Sequence, residues 1–566
     1  MSTCTIDGRE VDAAPGETIL AVAQRLGIDI PTLCYLEKCG PLTSCLACVV
    51  KVNGNNGQSR VVPSCATRVQ QGMIIESESA EVREMRRTAL ELLLSDHAGD
   101  CLSPCHRICP LHLNIPVMIR QIETGELREA IATIKDSIAM PAVLGRLCHH
   151  PCENGCRRGT WDNPAAIRDL ERFAADADLQ SQAPYLPPCK SASGKSIAIV
   201  GAGPTGLAAA YHLLRQGHAC TLIDRHEKAG GSLRNPVVEK DLPPEVLNGE
   251  IALIEKLGAR FQLASVLDMT GLTDLQRDFD AVLLALGETS KPEAAALGLS
   301  WTGGGLKVNP DSYQTELISS EDAGQASSLP VREASCRPND GARMPCQPAG
   351  WKPALHPPTG SKVFAAGSAV KPLKQVARAM SEGKIAAACI HRLLFGQAVE
   401  RPGKEFSSIM GRLDDTELKL FMIGPSPHPR VSPSCGTQCG FTKSEASTEA
   451  QRCLHCDCRA AGQCRLQHYA ALYEANPAHF RAERRRFEQY ERPGGVVFEP
   501  GKCILCGICV KLAEQASEPL GLTFVGRGFD VRVSAPLNHA FDDGLQKVAA
   551  ECVEHCPTGA IVFRKT

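Results

Sequence analysis

The cysteines of this chain fall into tight groups, and that grouping restricts the fold more than any other feature. Of 28 in 566 residues, five lie between Cys34 and Cys65, six between Cys101 and Cys156, four between Cys453 and Cys464, and five between Cys503 and Cys556. Residues 195–400 hold only four. Disulfide staples serve small secreted scaffolds, whereas a chain of this length can bury a core of its own, in roughly three or four domains of ~100–200 residues. Met1–Asp12 shows no basic stretch followed by an apolar one, so no secretory leader is expected. No apolar run approaches the ~18–20 residues of a membrane span. The 61 basic and 63 acidic side chains nearly cancel, which leaves no footprint for nucleic acid or an anionic membrane. A cytoplasmic protein that bunches its thiols in this way is expected to use them for metal or redox chemistry.

The cysteine-poor middle alternates short apolar runs with helical patterns, as α/β folds do. Ser196–Gly201 reads as a buried strand, Gly206–Gly217 as a helix and Ala219–Asp224 as the next strand. Asp280–Leu286 and Lys362–Ala366 read as further strands. Between the first strand and the helix stands Gly201-Ala202-Gly203-Pro204-Thr205-Gly206. Its glycines permit a tight turn, close approach of a pyrophosphate and helix–strand packing, and the helix start favours the phosphate charge. Asp224 ends the next strand, 18 residues after Gly206, where a carboxylate would bond a ribose hydroxyl. No second motif of this kind occurs in 225–362, so a separate nicotinamide domain is not expected. Ser319–Ser361 is rich in Ser, Pro, Gly and Asp without periodicity and reads as an irregular insertion, and Ala183–Gly194 as a linker.

At the N-terminus, Asp7-Gly8 between β-prone runs signals a two-residue hairpin, and Thr18–Leu26 has helical spacing with Thr18 as cap. Cys34, Cys45-x-x-Cys48 and Cys65 follow, four thiolates on loops that suit a [2Fe–2S] site, with zinc as the alternative. Ile30–Cys34 and Cys45–Val50 resemble the [2Fe–2S] domain of the large iron–sulfur subunit of bacterial complex I, iron hydrogenases and some formate dehydrogenases. In those families a His and three Cys after the next helix, here expected over Glu81–Ser95, hold a [4Fe–4S] cluster. Asp96-His97 and Cys101 begin that pattern, and the sequence then departs from it.

The continuation, Cys105, Cys109-Pro110, then Cys148, Cys152 and Cys156, resembles the helical domain of the glutamate synthase small subunit and of dihydropyrimidine dehydrogenase. The resemblance implies one [4Fe–4S] site at Cys109, Cys148, Cys152 and Glu171, and another at Cys105 and Cys156 completed by Cys101 and His97. Gly230-Gly231, Ala285–Gly287 and Val363–Ala369 resemble the FAD domain of the same flavoproteins. The FAD contacts so implied are Gly201, Gly203, Pro204, Thr205, Gly206, Asp224, Arg225, Gly231, Gly287, Gly367, Ser368, Gln375 and Val376; Ser368 stands where that family has Asp. A single fold of this kind could instead hold NAD.

Cys453, Cys456, Cys458 and Cys464 place four thiolates in twelve residues, a [4Fe–4S] or zinc pattern, with Cys435 and Cys439 upstream as alternative partners. Cys503, Cys506 and Cys509 with the remote Cys556-Pro557 form the bacterial ferredoxin pattern for one [4Fe–4S] cluster. Ala513 replaces the fourth cysteine of its run, and Cys552, left from a lost second cluster, is expected to pack as a small apolar residue. Arg481–Arg492 reads as a charged helical connector.

The expected architecture is multidomain α/β and α+β. It comprises a β-grasp [2Fe–2S] ferredoxin domain (1–80), a helical double-cluster domain (81–185) and a Rossmann-like FAD domain without its NADPH domain (195–400, with the 319–361 insertion). A Cys-rich [4Fe–4S] region (401–492) and a bacterial-ferredoxin-like domain (493–566) complete it. One FAD, one [2Fe–2S] and about four [4Fe–4S] clusters form a wire, and no residue is assigned as catalytic. The implied role is an electron-transfer subunit of a cytoplasmic multi-subunit oxidoreductase of the formate dehydrogenase or hydrogenase kind. Its expected partners are a catalytic metal subunit and an NADH-oxidising flavin subunit. A stand-alone FAD-dependent reductase of a small substrate, and a non-enzymatic redox sensor or scaffold, are the alternatives.

Overall fold

A computed structural model describes residues 2–53, 59–235, 240–315, 361–436, 438–481, 483–491 and 495–563. All of the expected 319–361 insertion but Ser361 lies outside the described residues. The chain forms two units. One comprises Met1–Pro104, Lys404–Pro425 and Leu454–Thr566, and the other Cys105–Gly403 and Ser426–Cys453. The stretch expected as one region, 401–492, is thus divided between them.

In the first unit, Asp7 and Gly8 both take positive φ (46° and 78°), the type I′ geometry that lets Ser2–Ile6 fold back on Arg9–Ala13. Ser2–Ile6 also pairs in parallel with Ile74–Glu76, which runs antiparallel to Val49–Asn53. Ser59–Pro63 completes a five-stranded mixed sheet. The helix Ile19–Arg25 starts where Thr18 Oγ1 accepts from the Ala21 N–H at 3.2 Å. Its Ile19, Leu20, Val22 and Ala23 are buried with Ile6, Val50 and Ile75.

The helix Ala80–Leu94 follows, capped by Ser79. Its fully buried Arg86 donates to the Val49 carbonyl at 2.9 Å and to Tyr473 Oη at 2.6 Å. At the C-terminal end, Tyr490–Glu491, Val496–Phe498 and Ile561–Phe563 form an antiparallel sheet, covered by the helices Ile508–Gln515 and Ala549–His555. The expected helical connector is not one: residues 483–489 form no helix. Arg484 instead clamps the buried Glu417 carboxylate at 2.5 and 2.7 Å, and Arg485 pairs with Asp96 at 2.7 Å. Those charges are taken up by distant carboxylates, which a local charge pattern cannot reveal.

The second unit begins with the helices Pro104–Ile108, Ile115–Glu123, Leu127–Ser137, Pro141–Leu147, Pro151–Asn154 and Ile167–Leu179. Gly145 lets two of them touch, since a Cβ there would stand 2.6 Å from Arg172 Cβ. A parallel sheet follows, with Arg260–Gln262, Ala219–Ile223, Ser196–Val200, Ala281–Leu284 and Val363–Ala365 side by side in that order. This is the 3-2-1-4-5 order of a Rossmann-type half, with its ligand crevice at the carboxyl ends of the strands. The helix Val376–Leu394 lies against Pro204–Arg215, so close at Gly383 that a Cβ would meet the Thr205 carbonyl oxygen at 2.2 Å. Ser426–Cys453, with its helix Lys443–Ala450, joins this unit through Glu449, whose carboxylate is fully buried. It accepts from the N–H groups of Ala166 and Val431 and from Arg452 at 2.7–2.8 Å. Among the described residues no helix is long and apolar enough to cross a membrane.

Candidate functional site

The four cysteines of the N-terminal group come together. Cys34, Cys45, Cys48 and Cys65 are all buried, and Cys48 Sγ lies 3.3 Å from Cys65 Sγ. The Cys45 thiol donating to Cys34 brings Cys34 down to about 5, against the effect of burial. Cys65 does the same for Cys48, to about 7. Two of the four positions thus favour the thiolate form that iron requires.

Cys503, Cys506, Cys509 and Cys556 line one small cavity with Cys552 and Pro557. Gly507, with φ of 80°, turns the chain so that the helix Ile508–Gln515 can carry Cys509 behind Cys503 and Cys506. Burial pushes the Cys503 thiol up to about 12 and raises Cys506 and Cys509 as well. Without a metal these are neutral thiols in an apolar hole, and bound iron would draw off their protons. Cys552 is buried, its thiol 4.0 Å from the Cys509 carbonyl, packed as a small apolar residue.

Cys105 and Cys156 fall in the second unit and Cys101 does not. It lies in the first unit with Cys458 and Cys464. The Cys458 N–H donates to the Cys101 carbonyl at 3.4 Å, and the charges of Cys101 and Cys458 both act on the Cys464 thiol, which burial has already raised to about 12. Ser408 Oγ stands 3.3 Å from Cys101 Sγ, and Lys502 Nζ stands 3.9 Å from Cys458 Sγ. Lys502 also acts on His97, whose imidazole burial holds neutral at about 4. Sequence reasoning missed Ser408 and Lys502. Ser408 carries no signal at all, and Lys502 only its place before Cys503.

The run Cys453–Cys464 is correspondingly split. Cys453 belongs to the second unit, where its charge raises the buried Cys156 thiol further. Cys456, three residues on, is half-buried. Cys435 and Cys439 are exposed and interact locally, Cys439 Sγ donating to the Cys435 carbonyl at 3.3 Å.

Glu171 acts on Cys109, Cys148 and Cys152, and Cys109 on the other two cysteines. Burial raises all four; Cys148 reaches about 12, with the Glu171 charge as second cause, and Cys152 feels Cys109, Glu171, Cys148 and Cys105. Glu171 itself is pushed to about 8 by complete burial, with Glu250 adding to it. Its Oε1 is buried without a hydrogen-bond partner among the described residues, which a metal bond would satisfy. Zinc would need its thiolates about 2.3 Å from one point. Among the described residues no three His, Cys, Asp or Glu side chains converge on a single ion in that way. A [4Fe–4S] cluster asks less, since each of its ligands binds a different iron.

At the nucleotide fold, Gly201 takes φ of 109°, and a Cβ there would stand 2.1 Å from the Ala285 carbonyl oxygen. Gly203 caps the helix Pro204–Arg215 with no side chain, leaving the first-turn N–H groups open to a phosphate. Gly231, at φ of 51°, passes so near Gly203 that a Cβ would lie 2.8 Å from the Gly203 Cα. Gly206 and Gly367 allow similar approaches to Gly201 and Thr205, and Gly287 turns with φ of 80°. The Asp224 carboxylate is buried and accepts from Ala202 N at 2.7 Å and His226 N at 2.9 Å, while Arg225 points outward to Glu293. Ser368 Oγ accepts from the Leu373 N–H at 3.3 Å, and Gln375 precedes the helix that opens at Val376.

Three family profiles match the chain. Residues 1–80 match a 2Fe-2S iron–sulfur cluster binding domain, 79–183 the 4Fe-4S domain II of dihydropyrimidine dehydrogenase, and 199–260 a NAD(P)-binding Rossmann-like domain. The NADP(+)-dependent formate dehydrogenase subunit beta of Moorella thermoacetica is 39% identical over 207 residues, 33% of this chain and 29% of that protein. The NAD-dependent dihydropyrimidine dehydrogenase subunit PreT of Escherichia coli K12 is 34% identical over 214 residues, 37% of this chain and 52% of that one. The glutamate synthase [NADPH] small chain of Mycobacterium tuberculosis is 32% identical over 206 residues, 36% and 42% of the two chains. The chain thus spans less than a third of the first relative and about half or less of the others. The resemblance read from the cysteine and glycine motifs holds. The protein is a mixed α/β multidomain chain with a stretch similar to [2Fe–2S] domains, one similar to [4Fe–4S] domains and a Rossmann-like nucleotide-binding domain, and it is similar over part of its length to oxidoreductase subunits.

Proposed function

We propose that this chain is the electron-transfer FAD/iron–sulfur subunit of a cytoplasmic multi-subunit oxidoreductase, serving a partner that carries the catalytic metal centre. Clusters bound to it would pass single electrons, and a flavin would exchange a pair for single ones. The observation that carries the reading is the adjacency of three thiol sets within the first unit. Cys506 packs against the core that holds Cys34 and Cys45 and feels the Cys34 charge. Cys464 Sγ donates at 3.8 Å to the carbonyl of Pro557, which follows Cys556 in the chain. Side chains of one set therefore abut those of the next, as a relay requires.

The ligand sets of this proposal are Cys34, Cys45, Cys48 and Cys65 for [2Fe–2S], and Cys503, Cys506, Cys509 and Cys556 for one [4Fe–4S]. His97, Cys101, Cys458 and Cys464 hold a second, and Cys109, Cys148, Cys152 and Glu171 a third. Cys105, Cys156 and Cys453 belong to a fourth. The mixed sheet crossed by one helix supports reading 1–80 as a β-grasp ferredoxin domain. FAD is favoured at the Rossmann fold because the crevice is closed by Gly367–Ala369 and the helix Val376–Leu394, elements beyond the 199–260 stretch that a mononucleotide half needs. The side chains there hold and orient: Gly201–Gly206 admits the pyrophosphate, and Asp224 accepts from a ribose hydroxyl.

The test is metal and flavin analysis of the chain purified anaerobically, alone and with whatever co-purifies from its source. The expected result is bound FAD with iron in excess of three clusters, and no steady-state oxidation of NAD(P)H by the chain alone. A chain without flavin would overturn the FAD reading, and unaided NADPH oxidation would favour a stand-alone reductase.

A further inference from the structure

We propose that Lys502 sets the reduction potential of the His97/Cys101/Cys458/Cys464 site, with Glu499 as its counterweight. The inference rests on the ligand set proposed above and adds to it a residue that binds no metal.

An ammonium group is seldom buried, and Lys502 is only 5% exposed. Its Nζ donates to Glu499 Oε2 at 2.5 Å and stands 3.9 Å from Cys458 Sγ. The other Glu499 oxygen faces Arg459 at 3.3 Å, so two cations share one carboxylate beside the thiols. The fold reserves this place. A Cβ on Gly99 would lie 2.9 Å from Lys502 Cε and 3.2 Å from His97 Nε2, so the lysine stem runs directly over the His97–Cys101 loop. The Ala98 N–H donates to the Gly501 carbonyl at 2.8 Å, which ties the His97–Cys101 loop to the backbone that carries the lysine. On its other side, Thr558 Oγ1 donates to the Lys502 carbonyl at 2.9 Å, fixing it to the Cys556 loop.

Reduction adds one electron and breaks no bond; the reductant is the neighbouring Cys503–Cys556 site or, in the test, dithionite. The site becomes one charge more negative, and an ammonium at hydrogen-bond range of a ligand sulfur stabilises that state. Lys502 keeps its proton throughout, held by Glu499. Its charge therefore raises the potential of this site, while the Glu499 carboxylate moderates the rise. The ammonium stands 3.9 Å from Cys458 Sγ, so the site that Cys458 belongs to is expected to respond most.

The experiment is an EPR-monitored redox titration of the full holo chain and its Lys502→Met, Lys502→Arg and Glu499→Gln variants, with iron content measured for each. The signal of this site is identified as the one lost in Cys464→Ser. Lys502→Met is expected to move that signal to lower potential and Glu499→Gln to higher, with Lys502→Arg near the wild-type value. The Cys503–Cys556 signal is expected to move less in each. An unmoved Cys464-dependent signal in Lys502→Met, or equal movement of every signal, overturns the proposal. If Lys502→Met fails to assemble, an unmoved or lowered potential in Glu499→Gln overturns it equally. Should Cys464→Ser remove no signal, the ligand set fails, and a signal shifted in Lys502→Met then reports the lysine's effect on a different site.

Discussion

Two sites in the first unit differ in how their ligands are brought together. Cys34, Cys45, Cys48 and Cys65 lie on adjoining loops of one small sheet. Cys101 meets Cys458 and Cys464 across about 350 residues of chain, most of which folds as the other unit. The first is a local site, held by hairpins and one capped helix. The second needs two short stretches, His97–Cys101 and Cys458–Cys464, brought together from far along the chain. Loop closure over such a distance costs little more than over a moderate one, so a large insertion inside a ligand set is thermodynamically tolerable. The second unit repeats the contrast on a smaller scale: Cys148 and Cys152 share a turn, while Cys156 meets Cys453 through the buried Glu449–Arg452 pair.

The largest test of this contrast removes ligands one at a time. Cys101→Ser and Cys458→Ser are expected to abolish the same EPR signal and about four iron atoms per chain, leaving the signal lost in Cys48→Ser untouched. Distinct losses for Cys101→Ser and Cys458→Ser would break the distant grouping. Next, Glu449→Ala strips the buried Arg452 of one of its two carboxylate partners, leaving Asp162, and two backbone N–H groups of their acceptor. It should cost about 3–5 kcal/mol in denaturant unfolding and lower the yield of the Cys453-dependent signal before any other. Gly145→Ala forces a methyl onto Arg172 and should cost about 1–3 kcal/mol, with loss of the signal that depends on Cys148 and Glu171.

The smallest effect lies away from every ligand. His218 is buried and bonded to Ser193 Oγ at 2.7 Å and to His391 at 2.9 Å, with Lys190 and Asp280 nearby. Burial holds its imidazole down to about 4, with His391 as second cause. A base whose folded value lies below its unfolded value of about 6.5 stabilises the fold above that pH and loses the contribution as pH falls toward 4. Stability should drop by about 1 kcal/mol between pH 7 and 5.5, an effect absent in His218→Gln and unaccompanied by iron loss. Iron loss over the same interval would mean that stability and the distant sites are coupled.

Much of this was legible in the residues because it is local. Asp7-Gly8 dictates its turn through two positive φ values, Thr18 and Ser79 cap the helices they precede, and Gly201–Gly206 fits no other turn as well. The C-terminal triplet Cys503, Cys506 and Cys509 was legible because it sits on one short loop, while the remote Cys556 was read only from the Cys-Pro that completes the pattern. Arg484 was misread as a solvated charge because Glu417, its acceptor, lies 67 positions away.

By itself, then, the sequence determined where the thiols bunch, where the glycine-rich turn lies and how short elements such as those after Thr18 and Ser79 begin. Each of those follows from interactions within a few residues. The tertiary structure divided the Cys453–Cys464 run, since Cys453 and Cys458 are five residues apart yet belong to different units. It also decided that Lys502 faces Cys458 and that Glu171 carries an unsatisfied oxygen in the core. Grouping, burial and field depend on what packs from far along the chain, and spacing carries no record of that.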